Sequence, residues 1–314
     1  MFVSETIFVT GASGRVGQPL VQALIAEGCT VRVHARRAEA GSQLQGMGAE
    51  VFDGDLAQLP ERAFHGVSTL YHLAGGVRGK GQDTPDRINR ALTEALLERV
   101  PSSVSVVLAS SGAVYGDRSN LWIEEDFEPS PNTRYGASKA ACEKMVLSRG
   151  GKVVRLAAVY GTGFPFLMDD RIREGKAWLP GEGRNHIPTV HIDDAVRGFM
   201  AVAQGGQEQG IYHVADRSQP TTGAFFEAVH RQVGGTPVRF WSTYVPSYVQ
   251  VYLAQQVERV ASRTGQRPRL TPDALKLWTA SVRLRTERLK DELGFSWRYA
   301  DHERGIAAST GGGA

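Results

Sequence analysis

Residues 6–17 read TIFVTGASGRVG. An apolar, β-branched run leads into a turn with glycines at 11, 14 and 17, and VGQPLVQALIAEG (16–28) then has the apolar spacing of an amphipathic helix. In a strand–turn–helix of this kind Gly11 permits the tight turn, Gly14 lets a diphosphate approach the backbone, and Gly17 lets the helix pack closely on the sheet. The helix N-terminus offers N–H groups and the positive end of its dipole to phosphates. A glycine triplet also occurs in plain structural turns. The strand before it and the helix after it are the context a dinucleotide site requires. Ser13, Arg15 and Val16 lie within the turn and join the three glycines as cofactor-binding candidates.

Outward from this turn the same rhythm continues. TVRVHAR (30–36), AEVFDGDL (49–56), VSTLYHLAG (67–75), VSVVLASS (104–111) and KVVRLAAVY (152–160) read as further strands, with helices through DRINRALTEALLERV (86–100) and TRYGASKAACEKM (133–145). Apolar strands alternating with helices predict an α/β fold, a doubly wound parallel sheet with helices on both faces. After Tyr160 the text turns rich in Gly, Pro and charge, returns to strand and helix in TVHIDDAVRGFMAVA and GIYHVAD, and is helical and looser from about residue 217. The expected division is a dinucleotide-binding domain over 1–160 plus 189–216, a smaller, mostly helical substrate-binding part over 161–188 plus 217–303, and a flexible tail over 304–314.

Bulk properties exclude several classes. The chain has 314 residues, 41% hydrophobic and 22% charged, with a net charge of +3. No run of one sign suggests a nucleic-acid surface or a polybasic anchor, and no apolar run is long enough to span a bilayer. The beginning has no signal-like segment. The two cysteines, Cys29 and Cys142, form no CxxC pattern, which argues for a reduced, cytoplasmic setting without a cysteine metal site.

The cofactor is read at the second strand. NAD-binding folds carry a carboxylate at its end for the ribose 2′-hydroxyl, whereas an arginine accommodates a 2′-phosphate. Here the strand ends His34-Ala35-Arg36-Arg37 and no carboxylate follows until Glu39. NADP(H) is therefore preferred, with Arg36 first and Arg15 and Arg37 supporting, and NAD(H) is the alternative.

The chemistry is read from Tyr135 and Lys139, four positions apart and so on one face of a helix. An ammonium a few ångströms from a phenol favours its ionised form. Ser110 and Ser111 close the fifth strand, at the sheet end where ligands bind. The bland alternatives are a core tyrosine, a surface lysine and a serine that caps a strand end.

With these residues in view, TGASGRVG, DGDL, HLAG, LASSGAVYG, YGASK, RLAAVYG and VHIDDA together resemble an extended short-chain dehydrogenase/reductase, over about residues 6–216. The resemblance implies that Tyr135 is the catalytic acid/base, Lys139 its partner and nicotinamide-ribose ligand, Ser111 the hydrogen-bond donor to the reacting oxygen, and Asn89 a supporting residue. It further implies that Asp55 and Leu56 lie at the adenine, Leu73, Ala74 and Gly75 over the adenine ribose and diphosphate, and Leu156 and Val159 beside the nicotinamide.

Two substrate readings stand. One is a ketone reductase or alcohol dehydrogenase acting on a small apolar molecule, similar to the 3β-hydroxysteroid dehydrogenase, dihydroflavonol reductase and β-keto-acid reductase branch. Its support is the apolar 240–260 segment and RPRLTPDALKLW (267–278), although VRLRTERLKDELGF lacks the Phe-Asp usual before the final helix. The other is a sugar-nucleotide epimerase or dehydratase with the same Ser–Tyr–Lys set. A non-catalytic NADP-sensing regulator is the third, disfavoured by the intact set. A homodimer through the 84–100 and 134–150 helices is an expectation from the family. His72 reads as packing, and His191, Asp193 and Asp194 as a helix start capped by an aspartate rather than a metal site.

Overall fold

Seven strands form one parallel sheet: β1 (Thr6–Thr10), β2 (Thr30–Ala35), β3 (Glu50–Asp53), β4 (Val67–His72), β5 (Ser105–Ser111), β7 (Lys152–Leu156) and β11 (Ile211–Val214), in the spatial order β11-β7-β5-β4-β1-β2-β3. The structure is a computed structural model and describes residues 5–77, 85–119, 121–164, 166–241, 247–264 and 271–310. The remaining short strands make three parallel two-stranded pairs: β6 (Trp122–Ile123) with β13 (Arg283–Leu284), β8 (Ala158–Tyr160) with β10 (Thr189–His191), and β9 (Trp178–Leu179) with β12 (Arg239–Phe240). The helices are α1 (Gly17–Ala26), α2 (Ala38–Gly46), α3 (Pro85–Arg99), α4 (Arg134–Leu147), α5 (Asp169–Arg173), α6 (Ile192–Gly205), α7 (Thr222–Val233), α8 (Ser247–Thr264), α9 (Pro272–Thr279), α10 (Glu287–Leu293) and α11 (His302–Thr310).

This is the doubly wound sheet the sequence predicts. Successive side chains of a strand point to opposite faces. Ile7 and Val9 share a core with Leu20, Leu24 and Phe199 of α1 and α6, while Phe8 joins Phe52, Phe64, Leu96 and Val146 on the α3/α4 side. Both faces are buried, so the strands read as near-continuous apolar runs. Phe8 is fully buried, with its ring 5.1 Å from that of Phe64; truncating such a side chain to alanine costs about 3–5 kcal/mol.

The chain winds outward from β1 in both directions, to β2 and β3 on one side and to β4, β5, β7 and β11 on the other. The reversal lies between β1 and β4, and ligands of such sheets bind at the carboxyl ends of the strands there. The glycine turn after β1 and the 73–75 loop after β4 both sit at this point.

Three expectations are corrected. KVVRLAAVY is not one strand: Ala157 N donates to Val214 O (3.1 Å) but Ala158 N donates to Pro188 O (3.0 Å). The partner changes at that residue, and β8 leaves the main sheet to pair with β10. Residues 304–310 are not a flexible tail but belong to α11. Ile306 is fully buried, and a Cβ added to Gly305 would stand 2.0 Å from Tyr160 Oη, so the helix is seated directly on that ring. The cap of α6 is His191, whose Nδ1 accepts from Asp193 N (3.2 Å), and not an aspartate. Asp194 instead accepts from Arg298 N (2.8 Å) and Tyr299 N (2.7 Å), tying α6 to the segment before α11.

Residues 161–188 pack with α7 and α11. Leu167, Met168, Ile172 and Leu179 share a cluster with Phe225, Phe226 and Ile306. The expectations placed on residues 242–246, 265–270 and 311–314 lie outside the described residues.

Candidate active site

Three consecutive residues at the end of β5 meet three residues of α4 spaced four apart. Ala109 O accepts from Lys139 Nζ (2.8 Å), Ser110 Oγ donates to Glu143 Oε1, and Ser111 makes a polar contact with the Tyr135 phenol. The i, i+4, i+8 spacing puts Tyr135, Lys139 and Glu143 along one helix face, which the sheet edge then reads residue by residue.

Local structure explains why α4 begins where it does. Thr133 is its N-cap, with Oγ1 accepting from Gly136 N (3.1 Å), the side-chain capping that satisfies an otherwise orphaned helix N–H. Ser111 ends β5 and caps the following 3₁₀ turn Gly112–Tyr115 by accepting from Ala113 N (3.2 Å). The two capped elements touch: a Cβ on Gly136 would lie 2.3 Å from Ala113 O. Glycine in a helix costs about 1 kcal/mol relative to alanine, and here that cost permits the approach.

Asn89 clamps the other side. It is 1% exposed; its Oδ1 accepts from Gly76 N (2.8 Å), and its Nδ2 donates to Gly76 O (3.1 Å) and to Ser138 Oγ (2.8 Å). Ser138 in turn donates to Tyr135 O (2.7 Å). The loop after β4 is thus fixed to α4. A Cβ on Gly75 would stand 2.9 Å from Asn89 Oδ1 and 3.4 Å from Lys139 Nζ, so this loop runs directly past the ammonium.

On the far side of the same loop is the glycine turn. A Cβ on Gly11 would be 2.6 Å from Ala74 N and from the Leu73 carbonyl carbon, at a positive φ of 70°. A Cβ on Gly17 would be 2.2 Å from Gly11 O, so α1 starts hard against the turn. Ser13, Gly14 and Arg15 are exposed, Val16 is half-buried, and the N-terminus of α1 carries no side-chain cap. Such an uncapped terminus, beside the exposed Ser13, Gly14 and Arg15, fits a dinucleotide diphosphate.

The other sequence candidates fall as follows. Arg36 and Arg37 are exposed just beyond β2. Arg15 donates to Gly163 O (2.9 Å), reaching toward the 161–188 segment rather than toward β2. Asp55 accepts from Ala57 N (3.0 Å) as the cap of a short 3₁₀ turn, and the Leu56 side chain is buried in the core. Leu156 is paired directly with Ser111 across β5 and β7, and Val159 pairs with Val190 in the small β8–β10 ladder.

Burial dominates the electrostatics. It raises the pKa of Tyr135, opposed by the contact with Ser111, so the phenol is held in its protonated form. Burial lowers the pKa of Lys139, opposed by Cys142 and Glu143. His72, between Thr10 Oγ1 (2.8 Å) and Thr93 Oγ1 (3.0 Å), is pushed down to about 3 by burial and by Lys139, and is a neutral structural group. Cys142 is buried, 3.2 Å from the Thr93 hydroxyl. No cluster of potential metal ligands occurs among the described residues, and none of their helices is long and apolar enough to cross a membrane.

Sequence reasoning placed Ser110 at the strand end but not its bond to Glu143, and it missed Gly136, Ser138, Glu143 and Arg155. Two signals were available. A glycine in the first turn of an alanine-rich helix calls for a close contact. An arginine inside the apolar strand KVVRL must be paired, because arginine is almost never buried alone.

The family described as NAD dependent epimerase/dehydratase matches residues 7–215. A 4-hydroxy-2-methyl-3-oxo-4-farnesyl-3,4-dihydroquinoline-1-oxide ketoreductase of Stigmatella aurantiaca is 27% identical over 324 aligned positions, covering 96% of this chain and 94% of that one. A 2-alkyl-3-oxoalkanoate reductase of Stenotrophomonas maltophilia is 27% identical over 241 positions, covering 68% and 71%. The solved dTDP-glucose 4,6-dehydratase of Bacillus anthracis with NAD superposes with a TM-score of 0.76 at 18% identity, covering 98% and 96%, a likeness of fold. The chain belongs to the NAD dependent epimerase/dehydratase family and is an NAD(P)-dependent enzyme of the extended short-chain dehydrogenase/reductase type.

Proposed function

We propose that the protein is an NADP(H)-dependent oxidoreductase that interconverts a ketone and a secondary alcohol on a small, largely apolar substrate, with Ser111, Tyr135 and Lys139 as its reacting set. The observation that carries the reading is their convergence at the carboxyl end of β5, beside the 73–75 loop and the glycine turn. A bound nicotinamide supplies the hydride donor or acceptor. Ser111 and Tyr135 both direct a hydroxyl to the substrate oxygen. Tyr135, kept protonated by burial, would give its proton to that oxygen in the reducing direction, and Lys139, one helical turn along α4, would stabilise the phenolate left behind. Asn89 holds the loop and the helix in register through Gly76 and Ser138.

Gly11, Gly14 and Gly17 with the start of α1 would hold the diphosphate, the 73–75 loop the adenine-side ribose, and Leu156 and Val159 the nicotinamide. Arg36, with Arg37, would take a 2′-phosphate, since β2 carries no carboxylate at its end. The 161–188 segment and residues 217–303 would form the substrate-binding part. The apolar substrate class is supported by the two relatives named above, whose own substrates bear a farnesyl or an alkyl group.

The test is a screen of ketones with long apolar substituents against NADPH absorbance. Stoichiometric NADPH oxidation is the expected result. Turnover of a nucleotide sugar without net NADPH consumption would replace this reading with an epimerase or dehydratase, and NADPH binding without turnover of either class would replace it with a sensor.

A further inference from the structure

Behind the candidate site lies a buried ion pair for which the reaction has no direct use. Glu143 and Arg155 are each 2% exposed, and the pair is two-pronged: Arg155 Nε donates to Glu143 Oε1 (3.1 Å) and Arg155 Nη2 to Glu143 Oε2 (2.8 Å). The remaining Arg155 nitrogen donates to Glu125 O (2.9 Å) and to the Tyr115 hydroxyl, and the guanidinium lies 4.8 Å from the Tyr115 ring centre. Tyr115 Oη is hydrogen-bonded to His213 Nε2 (2.6 Å), and His213 Nδ1 to Arg285 O (2.8 Å). The network ties α4, β7, β11 and the turn after β5 into one unit.

Its inner end touches the site. Glu143 follows Lys139 by one helical turn and accepts from Ser110, which stands between Ala109, the acceptor for Lys139, and Ser111. Arg155 immediately precedes Leu156, the strand partner of Ser111. Buried ion pairs are weak devices for stability, since an apolar pair of similar volume often serves as well or better, whereas leaving one partner alone is strongly destabilising.

We propose that the Glu143–Arg155 pair is a positioning element: it pins the end of β5 to α4 and so sets Ser111 against Tyr135 and Lys139. The inference rests on the Ser–Tyr–Lys reading above and adds two residues that never touch the substrate. The titratable groups that act on Tyr135 and Lys139 are Cys142 and Glu143 from α4, and Lys139 in turn acts on His72 of β4.

The experiment compares the full-length wild type with the double variant Glu143→Leu/Arg155→Met, which removes both charges and keeps an apolar core. Thermal unfolding, NADPH affinity by fluorescence, kcat and KM are measured, together with the Tyr135 phenolate titration, obtained by difference absorbance against Tyr135→Phe. The expected result is a folded protein with NADPH affinity within about threefold of wild type, KM for the ketone little changed, and kcat lower by about a hundredfold, the cost of a misplacement of about 1 Å. The Tyr135 titration moves to higher pH as Lys139 loses its fixed place. Wild-type kcat with an unchanged titration overturns the proposal. Should the wild type reduce no ketone, the chemical reading fails alone. The titration then still decides the positioning claim, an upward shift upholding it and no shift overturning it. Ser110→Ala, which cuts only the link from β5 to the intact ion pair, decides the same question if the double variant does not fold, with lowered kcat at unchanged KM expected and wild-type kcat overturning the claim.

Discussion

The carbonyl oxygen of Ala113 occupies the space that a side chain on Gly136 would need, 2.3 Å from where a Cβ would stand. Tyr135 is the preceding residue and Ser111 lies two residues before Ala113, so this contact sets how closely phenol and serine approach. Gly136→Ala is expected to destabilise the fold by about 1–3 kcal/mol, as overpacking does, and to lower kcat at least tenfold through the displaced phenol. Denaturant unfolding and steady-state kinetics on the same preparation check it; wild-type values of both would show that the helix can slide away at no cost.

Tyr135→Phe removes only the hydroxyl. Turnover should fall by about 10²–10⁴, the usual worth of a positioned acid/base group, while NADPH affinity stays within about threefold. Fluorescence titration beside a kinetic assay separates the two, and near-normal turnover would remove Tyr135 from the mechanism.

Arg36→Ala tests the dinucleotide preference. A charge-assisted hydrogen bond to phosphate contributes about 1.5–3 kcal/mol, so NADPH affinity should drop about 10- to 100-fold with little change for NADH. Equal losses for the two cofactors would place the 2′-phosphate elsewhere. The capture of Arg15 by Gly163 O makes Arg15→Ala the contrasting case, with a smaller effect expected on the NADPH/NADH ratio.

Acid stability should report the buried histidines. His72 and His213 are each pushed by burial from an ordinary 6.5 down to about 3. Below pH 6.5 the unfolded chain takes up protons that the folded chain refuses, so the stability these groups contribute above that pH is lost progressively as pH falls toward 3. The slope approaches about 1.4 kcal/mol per pH unit for each histidine. His72→Gln should remove one such contribution between pH 6.5 and 4. Parallel curves for variant and wild type in denaturant titrations would refute this assignment.

The seating of α11 predicts that the C-terminal region contributes to stability. Ile306 is fully buried beside Tyr160 and Phe225, and Ile306→Ala should cost about 2–5 kcal/mol. Gly305→Ala should be comparably harmful, because its methyl would collide with Tyr160 Oη. Thermal unfolding within a degree of wild type for both would mean that the helix is dispensable.

The sequence alone determined the alternating strands and helices, the glycine turn between the first strand and helix, the Tyr135–Lys139 spacing and Ser111 at a strand end. Each is a local pattern whose period or turn chemistry is carried by neighbouring residues. It did not determine that KVVRLAAVY changes hydrogen-bond partners at Ala157, because the competing strands Thr189–His191 and Ile211–Val214 are remote in sequence. Nor did it determine that residues 304–310 are helical with Gly305 and Ile306 buried, since Gly305 finds its contact only in Tyr160, far back in the chain. The links from Ser110 to Glu143 to Arg155 were decided by tertiary structure for the same reason. A buried charge is tolerated only where its counter-charge arrives, and that partner was brought 12 residues along the chain by the packing of α4 on β7.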